Sequence, residues 1–333
     1  MYGNFHTEID LTLAQLDQKA AKFKALKHPG DLAALLKTDA AALAKLASKP
    51  HYQVFSIPKP GGDKRVIHNP VPDLKNIQQL LNLYLQAAYY GLKPACSYGF
   101  IPKPSDEPHP RNIYTNALVH AGSEWVLNLD MKDYFHTVTS RHLQWIFGTL
   151  FEFPAPLCNQ LIGLTSYKGV LPMGAPTSPV LSNLAALPLD AGLQVLANKC
   201  DALYTRYVDD ITFSFDAQPD VQFTKAARQV VESQGFTLNE GKIRLSFRQD
   251  EPEVTGLILK SPKPDVSRGF IKSLKKDIKL YRYLCSPDML QRGIVNAGVL
   301  EKLQRSIRGQ LAFLSFIRGK QDKTYRRLAA LEG

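Results

Sequence analysis

Alternation of apolar and polar residues predicts two β-strands that each meet acidic residues at one end. In "YTRYVDDITFS" (204–214), apolar and hydroxyl side chains alternate strictly after Asp209 and Asp210, which is the period-two pattern of a half-buried strand. The segment "EWVLNLD" (124–130) is a mostly apolar run that ends at Asp130. Its composition predicts a strand that leaves a buried core, with its acid at the end.

Helical spacing of apolar residues predicts that helices surround these strands. The segment 173–190 is typical of a Gly/Pro loop that leads into a helix, and 52–70 reads as two strands around a Pro-Gly-Gly-Asp turn. The proline-rich segment 94–112 is predicted to be a surface loop. Further helices are predicted at about residues 10–48, 73–90 and 221–234. Together these patterns favour an α+β fold.

Length and composition are those of a globular protein. The chain has 333 residues, 44% of them hydrophobic, which suffices for two or three subdomains. Its four cysteines form no CxxC pair, so we interpret them as reduced thiols of a cytosolic protein. The N-terminus lacks the pattern of a signal peptide, and no apolar run is long enough to cross a membrane. The predicted location is therefore the cytoplasm, with no membrane partner.

The positive charge is concentrated at one end of the chain. The whole chain carries 41 Lys and Arg against 30 Asp and Glu, a net charge of +11, and residues 260–333 account for all of that excess. Such asymmetry favours a nucleic acid as partner. In "IKSLKKDIKLYRYL" (271–284) an apolar helical face lies beside five cations, which are Lys272, Lys275, Lys276, Lys279 and Arg282. These cations form either a phosphate-binding surface or an ordinary solvated helix face.

Three carboxylates carry the candidate chemistry. Asp130 ends one predicted strand, and Asp209 and Asp210 lie at the tip of the next hairpin. If the two strands are neighbours in one sheet, the three acids meet at one edge, where their mutual repulsion favours hard cations with oxygen ligands. Two Mg²⁺ ions in such a site would suit an in-line phosphoryl displacement. Solvated acids at a hairpin tip are the alternative, since Asp is common in turns.

Five segments resemble the motifs of reverse transcriptases and occur in the order found in that family. They are "KPGGDKRVIHNP", "NLDMKDYF", "LPMGAPTSPVLSN", "YVDD" and "GFTLNEGK". Two shorter elements are similar to those of the retron enzymes: "NALVH" (116–120) before the first palm motif, and "VTG" (254–256) after the palm. By resemblance, the chain is identified as a retron-type bacterial reverse transcriptase.

The resemblance implies a right-hand polymerase. Its palm would be an antiparallel sheet packed on helices, and its thumb would be helical and basic. The implied divisions are an N-terminal helical segment at 1–50, fingers at 51–123, palm at 124–259 with some fingers elements, and thumb at 260–333.

The resemblance also implies roles for residues around the carboxylates. Asp130, Asp209 and Asp210 would hold two Mg²⁺ ions, and Lys242 would protonate the departing pyrophosphate; a surface lysine is the alternative. Lys64 and Arg65 would bind the triphosphate of an incoming dNTP, because a guanidinium suits phosphate oxygens. A solvated strand arginine is the alternative for Arg65.

Three further residues are implied to contact the nucleotide. Phe135 would exclude a ribose 2′-OH, unless it is simply a core phenylalanine. Gly174 would let the backbone pass close to template and nucleotide. Met173 stands where the family usually has Gln, and because Met cannot donate a hydrogen bond, sugar selection and fidelity are open to question.

Retron resemblance further implies RNA recognition and a biological role. The RNA-binding positions would be Asn116, His120, Val254, Thr255 and Gly256, together with the five cations of 271–284. The enzyme would copy part of a structured noncoding RNA, primed by a 2′-OH, into a branched RNA–DNA product (msDNA). It would act in bacterial antiphage defence with an effector protein. The alternatives are another bacterial reverse transcriptase, of the group II intron or abortive-infection type, and a catalytically idle RNA-binding scaffold.

Overall fold

The first third of the chain is mainly helical and carries one long β-hairpin. The computed structural model describes residues 7–8, 10–58, 62, 64–291 and 296–332, so most of the turn predicted at 60–63 lies outside the described residues. The predicted helices and strands up to residue 90 are confirmed, and β2 pairs with β3 in antiparallel register. The elements are β1 (Thr7–Glu8), α1 (Leu13–Lys24), α2 (Pro29–Leu35), α3 (Ala40–Ser48), β2 (Tyr52–Pro58), β3 (Lys64–Pro70), α4 (Pro72–Tyr90), β4 (Pro102–Lys103) and α5 (Ile113–Val119).

The middle of the chain forms a four-stranded antiparallel sheet with helices on one face. The strands lie in the order β6-β7-β5-β8, which places the two predicted acid-bearing strands β5 and β7 next to each other. A π-helix (Trp145–Leu150) and two 3₁₀ turns (Glu240–Lys242 and Arg248–Asp250) also occur here. The other elements are β5 (Trp125–Asp130), α6 (Tyr134–Thr137), α7 (Ser140–Gln144), α8 (Ala155–Thr165), α9 (Ser178–Ala185), α10 (Leu187–Lys199), β6 (Leu203–Tyr207), β7 (Asp210–Phe215), α11 (Val221–Ser233), β8 (Arg244–Phe247), β9 (Glu253–Val254) and β10 (Leu257–Ile258).

The last quarter is helical, as its apolar spacing predicts. Its elements are α12 (Arg268–Leu284), α13 (Pro287–Gln291), α14 (Ala297–Arg318) and α15 (Lys323–Glu332). Among the described residues, no single helix is long and apolar enough to cross a membrane, although α9 and α10, bent by 47°, would pass together on length and composition.

Two hydrophobic cores lie on opposite faces of the central sheet. The larger core joins α1–α4 and the central helices to one face through Leu127 and Leu129 of β5. The smaller core joins the C-terminal helices to Val126 of β5 and to the β9–β10 hairpin through Val254 and Leu257. The predicted palm–thumb boundary at 259/260 stays a prediction, but by packing this hairpin belongs with the C-terminal helices.

Candidate active site

The three predicted carboxylates meet at one edge of the central sheet. Antiparallel pairing of β5 with β7 places Asp130 opposite Asp210. The Met131 N–H, just after β5, donates to the Asp209 carbonyl at 3.0 Å and ties the end of β5 to the hairpin tip. The convergence predicted from two separate strand patterns is therefore present.

The hairpin tip that carries Asp209 is strained. Val208 has φ of +62°, a left-handed conformation that is costly for a β-branched residue. Gly99 lies directly against it, since a Cβ added to Gly99 would come within 2.6 Å of both Val208 Cγ2 and Val208 N. Only a glycine at position 99 leaves room for the turn as it stands.

The carboxylates perturb one another. Burial raises the pKa of the Asp209 carboxyl and the Asp130 carboxylate raises it further, whereas Lys242 and Arg65 act in the opposite direction. Partial enclosure by the protein, then repulsion from Asp209 and Asp130, raises the pKa of Asp210 to about 7, although part of this residue reaches solvent. A cation placed among these groups would relieve the repulsion.

Lys242 supplies the nearest positive charge. Its Nζ donates to Asp130 Oδ2 at 2.7 Å, and this hydrogen bond raises the pKa of Lys242. Within the described residues, no three His, Cys, Asp or Glu side chains surround a common point as a finished metal site would. The donors are nevertheless all carboxylate oxygens, which is the set that a hard divalent cation prefers.

Sequence reasoning missed a buried polar network beneath the hairpin tip. Arg206 is completely buried and bonds Asp190 on α10 through Nε and Nη2, both at 2.7 Å. Its Nη1 donates to the Val208 carbonyl at 2.9 Å and to Asn183 Oδ1 at 3.1 Å. Burial alone would lower the pKa of Arg206, but the Asp190 carboxylate raises it well above its usual value. An arginine within an otherwise apolar strand was the one available signal.

A cavity of about 330 Å³ adjoins the acids. Asp130, Asp210 and Lys242 line this cavity together with Thr255 and Gly256. Thr255 and Gly256 both have positive φ and form the two-residue turn between β9 and β10. The predicted Val-Thr-Gly element therefore reaches the same cavity as the carboxylates.

The β2–β3 hairpin brings positive charge near Asp209. Lys64 and Arg65 are exposed at the start of β3, and Arg65 is near enough to lower the pKa of Asp209. The His68 N–H donates to the Met173 carbonyl at 2.7 Å, which joins this hairpin to the Gly/Pro loop. Gly174 has φ of +113°, and a Cβ there would lie 2.9 Å from an Ile67 methyl group. Close approach to β3 is thus one reason for a glycine at 174.

Phe135, which follows Asp130 closely in the chain, is half-buried. Its ring packs on Tyr134 and Phe100, with centroid distances of 5.8 and 6.2 Å. The remaining exposed part leaves a role in nucleotide selection as a prediction.

Comparison with known proteins identifies the family. Residues 57–259 match the family described as reverse transcriptase (RNA-dependent DNA polymerase). The chain is 30% identical over 284 residues to the retron Ec86 reverse transcriptase of Escherichia coli, with 83% of this chain and 79% of that one covered. The chain belongs to the retron-type reverse transcriptases.

Two other proteins are also similar, one that this chain covers only in part and one with low sequence identity. The retron Mx162 reverse transcriptase of Myxococcus xanthus is 32% identical over 263 residues, covering 68% of this chain and 52% of that one, so this chain spans about half of that relative. A telomerase from Candida albicans, solved with a TWJ fragment of telomeric RNA, has a TM-score of 0.48 at 13% identity over 86% of this chain and 56% of that one.

The fold of this retron-type reverse transcriptase is the predicted right-hand polymerase. The division into fingers (51–123), palm (124–259) and thumb (260–333) stays a prediction, in which the β2–β3 hairpin would belong to the fingers, the four-stranded sheet to the palm and the C-terminal helices to the thumb.

Asn116 and His120 of the "NALVH" element are buried, which corrects the expectation that these two residues contact RNA directly. His120 is completely buried, with its ring nitrogens 2.8 Å from the hydroxyls of Ser214 and Thr205. Burial lowers the pKa of His120 to about 3. Asn116 and Val254 are also buried, the former with no hydrogen-bond partner on its side-chain amide. In this group, only Thr255 and Gly256 reach the surface.

The five predicted cations of the thumb all lie exposed on α12. They are Lys272, Lys275, Lys276, Lys279 and Arg282. Within the described residues, none of the five forms an ion pair with an acidic side chain. This face of α12 therefore presents uncompensated positive charge.

The segment 94–112 is only partly the surface loop that was predicted. Tyr98 N donates to the Arg206 carbonyl and Arg206 N donates to the Cys96 carbonyl, so this stretch runs beside β6. Cys96 and Ile101 are buried. The proline-rich composition indicated a loop but could not indicate this pairing.

Proposed function

We propose that this protein is an RNA-directed DNA polymerase that copies part of a structured noncoding RNA into DNA. Membership of the retron-type family supports the reaction class. One structural observation carries the proposal: Asp130, Asp209 and Asp210 meet at one edge of the sheet, beside a cavity that the β9–β10 hairpin also lines. The scaffold alternative is less favoured because all three acids are present there.

In this proposal, Asp130, Asp209 and Asp210 hold two Mg²⁺ ions. Bound Mg²⁺ would stabilise the charge that develops on phosphoryl oxygens during transfer. Arg65 and Lys64 bind and orient the dNTP triphosphate from the fingers side. The exposed Lys242 ammonium donates its Nζ proton to the departing pyrophosphate. Phe135, with Met173 and Gly174 beyond it, shapes the pocket for the sugar.

The RNA is held chiefly by the thumb. Phosphates lie along the basic face of α12, and Thr255 and Gly256 lie against the strand that enters the catalytic cavity. We further propose that DNA synthesis is primed by a 2′-OH of the RNA and yields msDNA. A role in bacterial antiphage defence, in the cytoplasm and with an effector protein, belongs to the same proposal.

The test is to express the protein with its native flanking DNA, purify it with bound nucleic acid, and sequence the RNA and DNA. We expect one noncoding RNA joined to a short DNA that resists ribonuclease. Asp209→Asn is the matched control, because it removes a ligand charge at nearly constant volume; it should retain the RNA and contain no DNA. Recovery of RNA without DNA from the wild type, together with failure of Mg²⁺-dependent primer extension, would contradict the proposal.

A further inference from the structure

Both peptide groups that flank Asp209 are held by hydrogen bonds. The Val208 carbonyl belongs to the peptide on the N-terminal side and accepts from Arg206 Nη1 at 2.9 Å. The Asp209 carbonyl belongs to the peptide on the C-terminal side and accepts from Met131 N at 3.0 Å. Because these peptides set the direction of the Asp209 Cα–Cβ bond, the two donors fix the direction in which its side chain leaves the backbone.

One of these donors works against backbone strain. Val208 would leave its left-handed conformation if its carbonyl were free, since the conformation is unfavourable for a β-branched residue. The Arg206 guanidinium is planar and can donate in several directions at once. Here two of its nitrogens donate to Asp190 and the third donates to the Val208 carbonyl. The ion pair with Asp190 therefore holds the guanidinium in the orientation that restrains the turn.

The ion pair has little value as a simple source of stability. Both of its side chains are completely buried, and a buried pair recovers roughly what its desolvation costs. What an apolar replacement could not provide is a directed bond to the Val208 carbonyl. Asn183 extends the same arrangement, because it accepts from Arg206 and donates to the carbonyl of Gly99, the residue packed against Val208.

We propose that Arg206 is a positioning residue: its guanidinium, oriented by Asp190, holds the strained Val208–Asp209 peptide and thereby helps to keep the Asp209 side chain beside Asp130. The proposal rests on the polymerase function given above. Arg206 is completely buried and bonds the Val208 carbonyl, so we expect its effect on the reaction to pass through the shape of the turn.

The test compares three variants in the full-length protein. Arg206→Lys keeps the positive charge, but an ammonium cannot serve Asp190 and Val208 with the same fixed geometry. Tyr204→Phe is the matched control, because the Tyr204 hydroxyl donates to the same Asp190 Oδ1 at 2.7 Å without touching the turn. Val208→Gly removes the conformational strain that Arg206 has to oppose.

The expected result is a split between kinetic parameters. Arg206→Lys should lower kcat for primer extension about 100-fold, the scale expected from a misplacement of roughly 1 Å, with little change in KM for dNTP or in RNA affinity. Tyr204→Phe should lower Tm while kcat stays close to wild type. Adding Val208→Gly to Arg206→Lys should restore part of kcat, because the relaxed turn needs less restraint.

Backbone hydrogen exchange, which can be measured without enzymatic activity, tests this proposal separately from the proposed function. Backbone hydrogen exchange around 207–211, measured without Mg²⁺ or nucleotide, should accelerate in Arg206→Lys and stay near wild type in Tyr204→Phe. Should Arg206→Lys fail to fold, Arg206→Lys/Asp190→Glu retains a buried ion pair of similar overall length and should show the same loss of kcat. A wild-type kcat and exchange rate in either charge-retaining variant would overturn the proposal, as would absence of rescue by Val208→Gly. A wild-type protein without polymerase activity would instead overturn the proposed function, and the exchange data would still test the positioning.

Discussion

Neutralising four lysines of the thumb should weaken RNA binding and reduce its dependence on salt. Lys272, Lys275, Lys276 and Lys279 are all exposed on α12 and are unpaired within the described residues, so each is available to a phosphate. Each phosphate contact that is lost lowers the slope of log K against log salt by about 0.7–0.9. Substitution of all four by Gln should therefore reduce the slope by about 3.

The change in slope also gives the expected change in RNA affinity. A slope difference of about 3 corresponds to about 1000-fold in the association constant at roughly 0.1 M salt, if the contacts act only through counterion release. The assay is binding of the cognate noncoding RNA from about 0.05 to 0.5 M salt. Extension of a preformed primer–template at saturating concentration should fall much less, because the catalytic acids and Arg65 lie outside α12.

A control with the same loss of charge separates local contact from net charge. Lys22, Lys24, Lys45 and Lys49 are also exposed, but they lie in or beside the N-terminal helices α1 and α3. Their replacement by Gln should change the slope much less. If the α12 variant binds RNA with wild-type affinity and slope, or if the control loses as much, the α12 face is a solvated surface and the phosphate-binding argument fails.

Three other predictions concern single positions. Phe135→Ala should raise the kcat/KM ratio of GTP to dGTP, because space for a 2′-OH is created; an unchanged ratio would make Phe135 a plain core residue. Because the pKa of His120 is lowered to about 3 in the folded protein, only the unfolded chain binds a proton at this residue between that pH and its ordinary pKa of about 6.5. The contribution of His120 to the free energy of unfolding is therefore fully present above about pH 6.5 and falls by about 1.4 kcal/mol per unit as the pH drops from there towards 3. Between pH 7 and pH 5, thermal unfolding should show a change that is less favourable to the folded state in the wild type than in His120→Asn, and since the raised pKa of Asp210 acts in the opposite direction in both proteins, the difference between them is what is measured; equal pH dependence would refute the assignment. Gly99→Ala should slow primer extension by pushing on Val208 while RNA affinity persists, whereas Gly91→Ala, where nothing lies within 4 Å of an added Cβ, should have little effect; equal activities would mean that the turn can shift.

The meeting of the three carboxylates at one edge of the sheet was predictable because the sequence pattern of each strand lies within a few neighbouring residues. The alternation after Asp210 sets which side chains face the core, and the apolar run before Asp130 does the same for the other strand. A one-residue slip would turn every side chain to the opposite face, so once the strands pair, the register that places Asp130 opposite Asp210 is strongly specified. Only the pairing of the two strands had to be assumed.

The support beneath that edge was not predictable by the same reasoning. Asp190 and Arg206 lie on a helix and a strand, and ordinary patterns place charged residues at the surface. Their mutual burial depends on how α10 packs on β6, which no sequence period encodes. His120 shows the same limit, because its position between the hydroxyls of Thr205 and Ser214 depends on neighbouring strands far away in the chain.

The β9–β10 hairpin connects the C-terminal helices with the cavity beside the carboxylates. Val254 and Leu257 pack in the hydrophobic core of the C-terminal helices, while the two residues between them, Thr255 and Gly256, line the same cavity as Asp130. A two-residue turn with both φ angles positive has little freedom of its own, so it moves with its flanking strands. The Thr255 hydroxyl also donates to the Ile113 carbonyl at 3.0 Å, which ties the same turn to the start of α5. The turn is therefore joined to the C-terminal helices through Val254 and Leu257 and to α5 through Thr255, at the place where the chain lines the cavity beside Asp130.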